Sequence, residues 1–255
     1  MSYVTENQPN GTPVWIDLGI PDLDLAMSFY GELFGWQFDV GSEDIGRYTM
    51  CLLEGRPVAA IMPNVDENAR DFWWQVYFAT DDCDATAKRI MAAGGTIIAE
   101  PDDVMDNGRM AVAKDPVGAP FALWQGNTFP GSAIVNEPNS LLRNDLVTPT
   151  PEPARSFYTA VFGFTLDEDP NTPGADFTFL RRPDGHEIGG IVGEPSAASS
   201  SWGTLFLVDD ADAAAARAVA SGGTAGKPTD MVYGRLVSIT DPFGTQFEVG
   251  SAPAS

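Results

Sequence analysis

The sequence predicts an α+β fold built as two tandem βαβββ modules, and two observations predict it. First, six segments recur in order at nearly constant spacing. Ser28-Phe29-Tyr30 with Phe34-Gly35-Trp36 returns 128 residues on as Ser156-Phe157-Tyr158 with Phe162-Gly163-Phe164. Asp81-Asp82 and Gly94-Gly95-Thr96 return at the same offset as Asp209-Asp210 and Gly222-Gly223-Thr224. Gly108-Arg109, Asp115-Pro116 with Gly118, and Phe121 return 126 residues on as Gly234-Arg235, Asp241-Pro242 with Gly244, and Phe247. Self-similarity at a fixed offset is the signature of a duplicated unit. Second, each copy mixes strand-period and helix-period stretches, which suits helices packed on one face of a sheet. The modules cover 11–125 and 138–250. The segment 126–137 between them is rich in turn formers and reads as a linker.

The first module justifies each element in turn. Val14 to Ile20 alternates as a half-buried strand, with Val14, Ile16, Leu18 and Ile20 on the face toward the helices and Trp15, Asp17 and Gly19 on the other. Asp22 is placed to cap a helix carrying Ala26, Phe29, Tyr30, Leu33 and Phe34 on one side, ending at Gly35. Strands follow at 46–53 and 57–62 around the Glu54-Gly55-Arg56 turn, and again at 72–79. Asp81 is placed to cap a second helix, which stops at Gly94-Gly95. The last strands, 109–114 and 119–124, flank Asp115-Pro116-Val117-Gly118, where proline sets φ and glycine accepts a positive one. The glycine pairs follow helices rather than open them, so they are helix stops and not phosphate loops.

Composition excludes several functions. The 255 residues include 36 acidic and 14 basic side chains, a net charge of -22. Such a charge repels phosphate backbones and anionic lipid, so neither nucleic acid nor a membrane surface is an expected partner. No apolar run reaches the roughly 20 residues of a membrane helix, and the first residues lack a signal-peptide pattern. A cytosolic setting is expected. Cys51 and Cys83 make no disulfide framework, which fits a reducing compartment. Cys51 reads as a small buried residue. The single histidine, His186, falls on the Asp184-Gly185 turn and is expected at the surface.

The repeated βαβββ unit, with an Asp, six intervening residues and then Phe-Tyr, followed by Phe-Gly, and with Asp-Pro-x-Gly ahead of the last strand, resembles the vicinal oxygen chelate superfamily of glyoxalases, bleomycin-resistance proteins and extradiol dioxygenases. The stretches GTPVWIDL, LFGW and GRM with DPVGAPFALWQ are similar to two-module glyoxalase-like proteins of actinobacteria, some of which belong to antibiotic biosynthesis. The resemblance spans nearly the whole chain and implies curved mixed sheets with concave cavities. It also implies metal-ligand positions, which here hold Trp15, Gln75 and Ala122 in the first module and Arg143, Gly203 and Glu248 in the second. Only Glu248 has the usual ligand chemistry, whereas a zinc site needs about three His, Cys or carboxylate ligands. Arg143 at such a position would repel a divalent cation. The expectation is therefore no metal and no other cofactor. An all-oxygen Mg²⁺ or Mn²⁺ site from Asp17, Asp145 and Glu248 stands as the alternative.

Strand parity lines the cavities with Trp15, Asp17, Trp73, Gln75, Tyr77, Ala122 and Trp124 in the first module, and with Arg143, Asp145, Gln246 and Glu248 in the second. Aromatic walls with a few polar groups describe a small-molecule site, and the flat indoles suit a planar ligand. Asp17, Asp145, Glu248 and Arg143 are the catalytic candidates. Trp15, Trp73, Gln75, Tyr77 and Trp124 are the substrate-binding candidates. Arg143 is expected to pair with Glu248. A carboxylate desolvated among aromatic rings has a raised pKa and suits proton transfer. The leading reading is a metal-independent protein that binds a planar oxygenated metabolite, such as an aromatic polyketide, and tailors it by proton transfer. One alternative is a drug-sequestering protein of the bleomycin-resistance type. Another is a metal-dependent lyase or dioxygenase. Duplication supplies the paired module within one chain, so either a monomer or a homodimer is consistent.

Overall fold

The computed structural model describes residues 3–64, 66, 69–168 and 174–252. The first module runs β1 (Pro13–Ile20), α1 (Leu23–Phe34), β2 (Gln37–Asp39), β3 (Thr49–Leu53), β4 (Arg56–Pro63), β5 (Gln75–Ala79), α2 (Cys83–Ala92), β6 (Thr96–Val104), β7 (Gly108–Lys114) and β8 (Pro120–Gly126). The second runs β9 (Ser140–Thr148), α3 (Pro151–Phe162), β10 (Thr165–Glu168), β11 (Phe177–Arg181), β12 (Glu187–Gly193), β13 (Ser201–Leu207), α4 (Ala211–Ala220), β14 (Thr224–Ala225), β15 (Thr229–Met231), β16 (Gly234–Thr240) and β17 (Gln246–Ser251). The βαβββ unit thus occurs twice in each module, not once. The sheets have order β2-β3-β4-β1-β5-β8-β7-β6 and β10-β11-β12-β9-β13-β17-β16-β14, with β15 on β16.

Local chemistry sets the element ends. Asp22 accepts from the Leu25 amide to start α1, and Gly35 ends it in the left-handed region at φ 71°. The cap of α2 is Asp82, which accepts from Ala85, while Asp81 accepts from Asn10 instead. The strand expected from residue 46 begins at Thr49, because Gly46 and Arg47 are both left-handed. The strand expected from Phe72 begins at Gln75. The edge strand β6 is mostly exposed and carries Pro101, so it lacks the alternation that marks buried strands. Val14 departs from its expected face. The β1–β5 register shifts between Pro13 and Trp15, and this bulge turns Val14 into the cluster around Trp15, away from the helices. The matching shift in β9 lies between Leu141 and Arg143, at the repeat equivalent of Val14.

The helices pack across the module boundary, α1 against α4 and α2 against α3. One core joins Ile16, Phe29, Tyr30, Phe34 and Trp74 to Phe206, Ala214 and Phe247; the other joins Phe78, Ile90 and Phe121 to Phe157, Tyr158, Phe162 and Trp202. The repeated motifs hold these cores reciprocally. Tyr30 donates to Asp241 Oδ2 at 2.9 Å, and Tyr158 donates to Asp115 Oδ2 at 3.0 Å. Each aspartate also accepts two backbone amides, one inside its own Asp-Pro-x-Gly turn and one from the residue just after it. Arg217 donates to Leu33 O, as Arg89 donates to Val161 O, both at 3.1 Å. The second glycine of each pair is where the modules meet. A Cβ on Gly223 would stand 2.8 Å from the Phe29 ring, and one on Gly95 2.9 Å from the Phe157 ring.

Hydrogen bonds to a buried carboxylate contribute about 1.5–3 kcal/mol, and the partner left behind stays desolvated. Tyr30→Phe and Tyr158→Phe should each lower the free energy of urea-induced unfolding by about that amount. Val232→Ala, on the exposed turn between β15 and β16, serves as the control and should change it little.

Candidate functional site

The concave faces of the two sheets are built on the same register but carry different chemistry. Across β1, β5, β8 and β7 the row Trp15, Tyr77, Ala122, Val112 lies in register. Across β9, β13, β17 and β16 the equivalent row is Arg143, Leu205, Glu248, Ser238. One step along, Asp17 pairs with Gln75, and Asp145 with Gly203. The candidate residues therefore do reach the concave faces, but they divide between two of them.

The first face centres on Asp17, only 3% exposed. Its Oδ2 accepts from Tyr77 at 2.7 Å and from Tyr48 at 3.0 Å, and Tyr48 in turn accepts from Trp15 Nε1 at 2.8 Å. Burial pushes the Asp17 carboxyl up to about 6, and the two phenol hydrogen bonds offset only part of that rise. Trp15, Tyr77 and Trp124 are buried, so they pack the inner end of the face. There the ring of Phe129, from the linker, meets Trp15 edge-on at 4.9 Å, while its carbonyl accepts from Trp124 Nε1 at 2.8 Å. The other end keeps part-exposed Tyr48, Met50 and Gln75, while Met110 and Val112, also part-exposed, stand on β7 beside Trp124 and Ala122. Trp73 stands at its rim, 45% exposed, donating to Gln75 Oε1 at 3.2 Å.

On the second face the expected Arg143–Glu248 pair does not form. Arg143 makes a two-pronged bond to Asp145, at 2.8 and 2.7 Å, and reaches Glu187 at 3.0 Å. Register explains this: Leu205 lies between Arg143 and Glu248, two strand spacings or about 10 Å apart. Arg181 joins Glu187 at 3.3 Å and Asp167 at 2.5 Å. The Arg143 guanidinium also stands 5.9 Å from the ring centres of Phe177 and Phe179. Glu248 has a raised pKa, from burial against the sheet and then from the negative charge of Asp145, although it keeps one side open to solvent.

Tyr48, Phe177, Phe179, Arg181 and Glu187 escaped the sequence reading. All lie between the first helix and the fourth strand of a module, where the repeat offset breaks down. His186 is exposed on its turn, as expected. Cys51 is buried in the core behind the sheet, and burial pushes its thiol up, the reverse of an activated nucleophile.

The superfamily's sequence profile, described as Glyoxalase/Bleomycin resistance protein/Dioxygenase, matches residues 12–123 and 140–249. The chain belongs to that superfamily. It is 38% identical over 246 residues to CFP32 of Mycobacterium tuberculosis, spanning 94% of each chain. It is 37% identical over 255 residues to the anthracycline biosynthesis protein DnrV of Streptomyces peucetius, spanning 94% of this chain and 92% of that one. Among solved structures, the Mn(II)-bound glyoxalase of Novosphingobium aromaticivorans overlays with a TM-score of 0.69 at 20% identity, over 96% of this chain and 83% of that one.

The superfamily raises the question of a metal, and the described residues of the two faces do not fit one. Among the described residues no three His, Cys, Asp or Glu side chains converge. The Asp17, Asp145 and Glu248 set is split between two sheets. Both Asp145 oxygens are engaged by Arg143, whose cation would stand beside the ion. Among the described residues no helix is long and apolar enough to cross a membrane.

Lifting the Asp17 carboxyl from 3.8 to about 6 makes its ionised form cost about 3 kcal/mol, at ~1.4 kcal/mol per factor of ten. The folded pKa lies above the unfolded one, so the cost is absent below about pH 4, grows between pH 4 and 6, and is full above that. Asn keeps an acceptor oxygen for both tyrosines. Asp17→Asn should therefore raise unfolding stability at pH 7.5 by about 2–3 kcal/mol and leave it unchanged at pH 4, measured by denaturant titration at both values.

Proposed function

We propose that this chain binds a planar, oxygenated small molecule at the mouth of the first module and tailors it by proton transfer, without a metal, as a step in secondary metabolism. The carrying observation is Asp17: a carboxyl poised near 6, held by two phenols on a concave face with aromatic and thioether walls. A general base or acid works best with a pKa near the operating pH, and such groups contribute about 10²–10⁴ in rate. The 37% identity to an anthracycline biosynthesis protein over nearly the whole chain supports a planar polyketide as the ligand class.

Asp17 lies beneath Tyr48, and Tyr48 is part-exposed at the mouth. The proton therefore passes through the phenol. Tyr48 gives its hydroxyl proton to Asp17 as its oxygen takes the proton from an acidic carbon or hydroxyl of the ligand. Trp15 Nε1, donating to the same oxygen, steadies the charge that builds there during transfer. The electron pair left on the ligand moves to its carbonyl as an enolate.

Anthrone, a planar ketone with an acidic methylene, tests this without knowledge of the natural substrate. The protein should accelerate exchange of that methylene in D₂O, followed by NMR, with a rate that rises through about pH 6. Asp17→Asn should remove the acceleration while leaving anthrone affinity within a few-fold. No acceleration by the wild type, or full acceleration by Asp17→Asn, would overturn the reading. Retained affinity with no exchange in either protein would favour sequestration.

A further inference from the structure

We propose that Phe129, a linker residue, determines specificity at the first-module site: its ring is an end stop that limits how far a fused-ring ligand reaches along the face. The inference rests on the reading that a planar molecule binds there. Of the linker's side chains, Phe129 is the one that joins the cluster around Trp15. Its ring meets the indoles of Trp15 and Trp124 edge-on, with centres 4.9 and 6.1 Å away. The Trp15 indole also donates to Tyr48 at 2.8 Å. One side chain therefore touches both the phenol assigned to proton transfer and the stop. Trp15 and Asp17 follow each other on one strand face, about 7 Å apart. A ligand reacting at Tyr48 can extend inward by about the length of the indole before it meets Phe129.

The linker backbone fixes this ring from both sides. The Asn127 and Phe129 amides donate to Asn107 O at 2.8 and 3.2 Å, and Thr128 Oγ1 donates to Asp106 O at 2.9 Å. The Phe129 carbonyl accepts from Trp124 Nε1 at 2.8 Å. Further on, Ser132 donates its amide to Val14 O at 2.8 Å and its hydroxyl to Val58 O at 2.9 Å. Gly131 makes this approach possible, since it sits at φ 119° where a Cβ would run into the Val14 carbonyl. None of these bonds uses the Phe129 side chain, which is part-exposed. The ring fills space on a backbone that is held without it. Shortening it to alanine vacates about the volume of one benzene ring between two indoles, and an apolar space of that size accepts an aromatic ring.

Two symmetric ketones with the same central methylene test the stop: anthrone, and the linear pentacenone that is one ring longer on each side. Symmetry prevents the longer ligand from turning its extra length outward. Affinities for the full chain are read by quenching of tryptophan fluorescence, and methylene exchange in D₂O by mass spectrometry. The wild type should bind anthrone at least about tenfold tighter than pentacenone, because a ring held off the face forgoes its burial. Phe129→Ala should abolish or reverse that preference by tightening pentacenone, and exchange should follow affinity. Phe129→Leu keeps most of the volume and should keep the preference, which separates loss of the stop from loss of the aromatic contact. Asp17→Asn should abolish exchange and leave the preference intact. Equal binding of both ketones by the wild type, an unchanged preference in Phe129→Ala, or its equal loss in Phe129→Leu would each overturn the end stop, while Asp17-dependent exchange of anthrone would still support the reading beneath it. No binding of either ketone would overturn both.

Discussion

Tyr30 and Tyr158 each send their hydroxyl proton to an acceptor in the other module, although Tyr158 also accepts from Trp202 of its own. Each sits on the buried face of a helix, in a core where an unpaired hydroxyl costs free energy, and each finds its acceptor on the Asp-Pro-x-Gly turn of the other module. The rest of the architecture follows from that exchange. To deliver Tyr30 to Asp241, α1 must lie against α4, and Gly223 must let the Phe29 ring approach. The same holds for α3, α2 and Gly95. Two half-cores result, each drawn from both modules, so neither module has a complete core of its own. The repeat is therefore more than a record of duplication. The segments that recur most faithfully are the ones that meet their counterparts across the boundary.

That constraint acts on the helix side of each sheet and leaves the concave side free to diverge. The β-strand geometry transmits the division, since alternate residues face opposite ways. Ile16, Leu18 and Ile20 are committed to the shared core, while Trp15 and Asp17 between them are not. The repeat equivalents Arg143 and Asp145 show how far the free positions have moved. An indole with a phenol-bound carboxyl in one module has become a guanidinium–carboxylate pair in the other. The first face is largely uncharged at its base, and the second is a mixed-charge surface with an acidic excess. Duplication of the scaffold has produced two different chemical environments.

This division also explains what could be read from sequence. The motifs that build the interface were legible because they recur at fixed offsets and have local mechanisms: an aspartate cap, a glycine stop, a proline–glycine turn. The concave positions Trp15, Asp17, Gln75, Arg143 and Glu248 were legible from parity alone, because their strands contain no slip between the anchor and the site. Val14 was misplaced for the complementary reason, since a bulge inverts parity and leaves no mark in the residue types. Tyr48, just ahead of β3, and Glu187, at the start of β12, lie where the register across the repeat is set by loops of unequal length, so no offset pointed to them. The pairing of Arg143 with Asp145 in place of Glu248 depends on cross-strand distance, which parity does not encode.

Asp17 brings these strands together. A carboxyl sealed among Trp15, Tyr48 and Tyr77 raises its own pKa and so works against the fold at neutral pH. Its neighbours limit that cost but do not remove it, because desolvation outweighs both phenol hydrogen bonds. The repeat shows that this position tolerates another solution, since Asp145 is relieved by a bidentate guanidinium two residues away. The first module has tryptophan where that arginine would stand. A fold that already meets a demanding polar exchange between its modules gains nothing in stability from a second, uncompensated carboxylate. Local stability is given up at this position while the same scaffold carries a paired carboxylate 128 residues later, and the proposed proton transfer would give the perturbed carboxyl a reason to be there.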